Sequence, residues 1–140
     1  MMNHTDLKEN IFNLPAPTLY RCHVLHYHAR LSRLYIRVFK TQGDLSTVQI
    51  PAFYLLFSDV GYVEGPINWE GANFCIASHE DCIELMLETG MIGKAVLQFP
   101  DAYAAITDTA RLYVVKTRNS PVRIIASSAA RLPSLPPEIG

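Results

Sequence analysis

The residues with the clearest chemical potential form one short run, Cys22-His23-Val24-Leu25-His26-Tyr27-His28. On a β-strand, alternate side chains share a face, so His26 and His28 project together about 6.5 to 7 Å apart, and two imidazoles at that spacing can share one metal ion. Cys22 falls on the same face if the alternation is unbroken, which makes Cys22, His26 and His28 the candidate metal ligands. A further ligand would come from elsewhere, with His79, Glu70 or Asp59 available. No carboxylate stands at a spacing that completes a barrel metal motif, and half-exposed histidines on a strand surface explain the same pattern. No cofactor is expected.

Other chemistry is less well supported. Cys82 lies in the first turn of a helix, where the dipole lowers a thiol pKa, and His79 stands three residues before it. Cys82 also belongs to the apolar stripe of that helix, which favours an inert thiol. Asp59, Glu64 and Glu70 are acids without a spacing that defines a glycosidase pair. Gly61, Gly65 and Gly71 are wrongly spaced for a phosphate loop and are not followed by Lys-Ser/Thr. The sequence therefore leans away from an enzyme.

Charge is unevenly placed. Between Asn10 and Gly43 there is no acid, but Arg21, Arg30, Arg33, Arg37 and Lys40 occur there. Thr41 to Gly93 has no Lys or Arg and eight acids: Asp44, Asp59, Glu64, Glu70, Glu80, Asp81, Glu84 and Glu88. Either basic strands lie beside acidic ones, or the molecule has separate faces that steer a charged partner or stack head to tail. Interleaved Arg21, Arg30, Arg33, Arg37, Tyr20, Tyr27, Tyr35 and Phe39 resemble a stacking nucleic-acid surface, yet the net charge of -1 makes phosphate attraction weak. Nucleic acid is thus not the expected partner.

These residues need a scaffold. At 140 residues, with 49% hydrophobic and 18% charged side chains, the chain matches one folded domain and not a disordered segment. Three cysteines without CxxC spacing fit reduced thiols. Met1 to Asn13 has no apolar run and is not read as a signal peptide, and no segment is apolar and long enough for a membrane helix. A cytoplasmic setting without membrane attachment is expected.

Residues 1–17 read as a loose start, with a possible helical turn from Thr5, and Pro15 and Pro17 delay the fold to about Thr18. Strands are expected over Leu19–Ala29 and over Leu31–Thr41, the second with Leu34, Ile36 and Val38 inward and Arg33, Tyr35, Arg37 and Phe39 outward. A short strand over Thr47–Ile50 is expected, then an apolar strand from Ala52 that breaks near Ser58-Asp59-Val60-Gly61. Ala72–Ala77 reads as a strand with Phe74 and Ile76 inward. Ser78 as N-cap, acids in the first turn and Gly90 past the end predict a helix over about 79–89. Lys94–Phe99 reads as a strand, Ala102–Ala110 is ambiguous, and Arg111–Thr117 with Val122–Ala130 reads as a hairpin. Pro133, Pro136 and Pro137 define a tail over 133–140.

The expected fold is α+β or mainly β: an antiparallel sheet, as sandwich or partly open barrel, of about six to eight strands with one short helix, forming a single domain over 18–132. The expected function is a non-catalytic protein-binding module whose partner is another protein or a second copy of itself, immunity-like or adaptor-like in size and character. Arg33, Tyr35, Arg37, Glu64, Trp69 and Glu70 are its candidate contact residues. The alternative is a small-molecule or metal-binding barrel, with or without enzymatic activity, that uses His26 and His28.

Overall fold

The computed structural model describes residues 8–41, 50–118 and 120–137. The expected turn at Thr5 and most of the expected strand at 47–50 lie outside them. Among the described residues, nine strands form two antiparallel sheets and no closed barrel, with two α-helices. The strands are β1 (Tyr20–His28), β2 (Arg33–Lys40), β3 (Phe53–Ser58), β4 (Tyr62–Glu64), β5 (Asn68–Glu70), β6 (Cys75–Ile76), β7 (Arg111–Val115), β8 (Val122–Ala126) and β9 (Ser128–Leu132). The helices are α1 (His79–Glu88) and α2 (Pro100–Thr109). One sheet runs β5-β1-β2-β3-β9 and the other β4-β8-β7-β6.

Alternation along the strands builds three layers. Leu34, Ile36 and Val38 of β2 and Phe53, Leu55 and Phe57 of β3 face Tyr113 and Val115 of β7 and Val122, Ile124 and Ala126 of β8, closing the core between the sheets. Leu112 and Ile125 point the other way, against Cys82, Leu85 and Met86 of α1. The two central strands of the four-stranded sheet, β7 and β8, are therefore covered on both faces along most of their length, and they read as nearly continuous apolar runs. The outer face of the five-stranded sheet lies on the opposite side of the molecule from α1.

The chain changes sheets four times, and Gly71, at a φ of 106°, begins the crossing from β5 to β6. Asp59, at a φ of 53°, sits between β3 and β4, where Val60 N donates to Ser32 O at 2.9 Å. Gly65, at a φ of 139°, turns β4 toward β5, in a region that only glycine occupies without strain. Ser127 separates β8 from β9. Its N–H donates to Ser58 O at 2.9 Å and its hydroxyl to Asp59 Oδ2 at 2.7 Å.

The helix over 79–89 is present as α1, with Asp81 N–H donating to Ser78 Oγ at 3.1 Å and Gly90 at a φ of 79°. Two expected strands differ in the structure, and the ambiguous segment resolves as helix. Lys94–Gln98 is a 3-10 helix, and Pro100–Thr109 is α-helical, with Pro100 at the first position and Asp101 in the first turn. The apolar run Ala95-Val96-Leu97 suits either state, and Ala102, Ala104 and Ala105 favour the helix. The expected single strand Val122–Ala130 is two strands in two sheets. Residues 8–17 are held in place: Lys8 bridges Ile76, Leu14 is in the core, and Phe12 packs against it. Asn10 secures this segment by accepting from Leu14 N–H at 3.0 Å and donating to Leu14 O at 2.8 Å.

Candidate functional site

The candidate surface is the outer face of the five-stranded sheet, and β1 is shaped to serve it. Antiparallel pairing sets Arg21 opposite Phe39 and His23 opposite Arg37, then shifts register between Val24 and His26, so that His26 meets Tyr35 and His28 meets Arg33. Leu25 is the extra residue of a β-bulge, and a bulge reverses the alternation beyond it. Cys22 consequently faces the core, fully buried, while His26 and His28 face outward with ring centroids 6.0 Å apart. The three candidate metal ligands do not share a face: the unbroken alternation that joined Cys22 to the two histidines does not hold. Burial pushes the Cys22 thiol up to about 12, far from the thiolate that binds metal. Among the described residues no group of three His, Cys, Asp or Glu side chains could hold an ion.

The same face brings most of the candidate contact residues together. Arg33, Tyr35 and Arg37 lie along β2, and Glu70 of β5 stands opposite Arg21. Tyr54 of β3 adjoins Arg37. Tyr35 is 1% exposed although its register points it outward, and the His26 ring lies 6.4 Å from its own. The Arg21 guanidinium carbon sits 5.4 Å above the Phe39 ring, a cation–π contact that flattens part of the surface. Arg37 Nε is enclosed without a hydrogen-bond partner. By strand register, the face carries Arg21, Arg33, Arg37, His23, His26 and His28 against a single acid, Glu70.

Two of the candidate contact residues lie elsewhere. Trp69 points inward, 5% exposed, and its indole N–H donates to Gly71 O at 2.9 Å. Glu64 is on the outer face of the other sheet in an ion pair with Arg123 at 2.7 Å, and it also accepts from the Tyr62 hydroxyl. Hydrogen bonds from Arg123 and Tyr62 hold its carboxyl below the usual glutamate range, and the hydrogen bond to Glu64 raises the Tyr62 hydroxyl. This Tyr62–Glu64–Arg123 group escaped sequence reasoning because the residues come from β4 and β8, whose pairing no local pattern reveals.

The acids of the central segment gather on the opposite side. Glu80, Asp81, Glu84 and Glu88 are exposed along α1, as are Asp101 and Asp108 on α2. Arg21 apart, the arginines of the sheet face make no ion pair among the described residues. Charge is thus segregated into a basic sheet face and an acidic helical face.

Two concavities complete the surface. An apolar groove of about 370 Å³ runs between Val24, Tyr27 and Leu34 on one sheet and Val60, Tyr62 and Val63 on the other. A polar hollow of about 380 Å³ includes Glu9, Glu70, Cys75, Lys116 and Arg118. No helix among the described residues is long and apolar enough to cross a membrane. In class, then, the chain is a two-sheet antiparallel sandwich with a helical layer on its smaller sheet. No family model matches it, and comparison with curated proteins and with solved structures found no significant match.

Proposed function

We propose that this chain is a non-catalytic protein-binding domain that docks an acidic protein surface on the outer face of its five-stranded sheet, in a cytoplasmic setting. The observation that carries the reading is the composition of that face: three arginines and three histidines against one acid. Enclosed Tyr35 and Phe39 give the face a rigid floor, so little side-chain entropy is lost when a partner covers it. Arginine over aromatic groups is a frequent composition at interface centres. Complementary charge of this kind chiefly raises the association rate and selects partners.

The test is capture from cell extract on immobilised wild type and on a double variant, Arg33→Glu with Arg37→Glu, whose fold is checked by circular dichroism. Acidic proteins retained by the wild type at low salt and lost from the double variant are the expected result. Retention unchanged by the double substitution overturns the assignment of this face.

A further inference from the structure

We infer that the acidic surface this face receives is helix α1 of a second copy of the chain, so that copies stack sheet face to helix face. The inference rests on the protein-docking reading above and names its partner. Its ground is the charge complementarity of two surfaces on one molecule, together with a match of spacing.

Arg33 and Arg37 lie on one face of β2 four residues apart, roughly 13 Å along a strand. Glu80, Glu84 and Glu88 lie on one side of α1 at four-residue intervals, about 12 Å from first to last along a helix. A helix laid along β2 therefore sets its outer glutamates above the two arginines, with Glu84 over the enclosed Tyr35. Arg33 and Arg37 present guanidinium groups, which suit bidentate pairing with such carboxylates.

Within one copy these charges cannot neutralise each other. The intervening four-stranded sheet puts the two surfaces roughly 20 Å apart, given about 10 Å per packed layer, and that exceeds two screening lengths at physiological salt. A net charge of -1 leaves little overall repulsion between copies. Because the two surfaces lie on opposite sides, the contact is heterologous and does not close on itself, so growth is linear.

Sedimentation velocity over a dilution series tests this with three proteins: wild type, the sheet variant Arg33→Glu/Arg37→Glu, and the helix variant Glu80→Lys/Glu84→Lys. Wild type should form concentration-dependent chains at low salt that dissolve at about 0.5 M salt. Each variant alone should associate about tenfold or more weakly. An equimolar mixture should assemble again, because each variant keeps one native surface and every contact is then between opposite charges. Glu84→Gln, an exposed and mild change, should weaken association without altering the fold.

A wild type that stays monomeric at low salt, or chains indifferent to both reversals, overturns the inference. The two levels separate cleanly. A monomer that still retains an acidic protein through Arg33 and Arg37 removes the second copy as the occupant and leaves the docking face. A monomer that retains nothing removes both.

Discussion

Replacing Phe57 tests whether the sheets and the N-terminal segment form one cooperative unit. Phe57 is fully buried at the meeting point of four elements: its ring centroid lies 5.2 Å from Tyr113 of β7, 5.5 Å from Phe74, and 6.4 Å from Phe12 of the N-terminal segment. Burying a phenylalanine removes about 150–250 Å² from water, which at about 25 cal/mol per Å² amounts to roughly 4–6 kcal/mol. Measured Phe→Ala losses of about 3–5 kcal/mol overlap the lower part of that range. Phe57→Ala should therefore remove about 4 kcal/mol, a large share of the stability of a domain held by about 5–15 kcal/mol. Phe57→Leu, which keeps most of the volume, should cost about 1–2 kcal/mol. Urea unfolding followed by the fluorescence of Trp69, the one tryptophan and 5% exposed, reads the whole series. A double-mutant cycle of Phe12→Ala with Phe57→Leu should give a coupling of about 0.5–1.5 kcal/mol. A loss below about 1.5 kcal/mol for Phe57→Ala, or no coupling to Phe12, refutes the packing argument.

Two further perturbations follow from local geometry. Gly65→Ala combines a φ of 139° with a new Cβ only 2.9 Å from Val122 Cγ2 and 3.2 Å from its Cα. It should cost more than Gly71→Ala, where the φ is 106° and nothing lies within 4 Å. Adding Val122→Ala should recover part of that excess, and equal losses for the two glycines would contradict the steric account. Among the thiols, half-buried Cys75 should react with a disulfide reagent in the native state, while buried Cys22 and Cys82 should react only as fast as the chain unfolds. Burial raises the Cys22 thiol from 9.0 to about 12, so the folded state retains a proton that the unfolded state releases. Its contribution to stability is intact below about pH 9 and falls as pH rises toward 12. Cys22→Ala should flatten that alkaline limb, and three thiols reacting at one rate would rule out the burial pattern.

What the residues disclose on their own follows from how local each signal is. The period of two along β2 identifies Leu34, Ile36 and Val38 as inward, and the Ser78 cap with Gly90 bounds α1. Both are decided within a few residues. The bulge at Leu25 is different: it depends on how β1 meets β2, and it alone separates Cys22 from His26 and His28. Trp69 reads as a contact residue beside Glu70, but β5 is short and its middle residue turns inward. The split at Ser127 depends on Ser58 and Asp59, sixty-nine and sixty-eight residues away in sequence. Helix α2 has no buried residue, so no apolar stripe distinguishes it from a strand. The basic sheet face was therefore only partly legible: Arg33, Tyr35 and Arg37 share it by simple alternation, whereas His26, His28 and Glu70 join it through strand pairing.

The charge pattern of α1 is hard to explain by folding alone. Glu80 and Asp81 suit the first turn, where negative charge meets the positive end of the helix dipole. Glu84 gains nothing there, and Glu88 stands in the last turn, where the dipole opposes it. Glutamates four residues apart also repel, at a few tenths of a kcal/mol per pair, and no Lys or Arg on the helix offsets them. The helix tolerates this because Cys82, Leu85 and Met86 bury against Leu112 and Ile125 and because both ends are capped. Lysine at position 84 would serve the isolated helix better, by pairing with Glu80 and Glu88. Glu88 is offset by the nearby charge of Arg123, but Glu84 breaks the local rule on its own helix, which points to use elsewhere, and two arginines at matching spacing on another copy supply that use. Glu84→Lys alone should therefore raise the melting temperature of the monomer slightly while weakening its assembly, a divergence that a purely structural role for α1 does not produce.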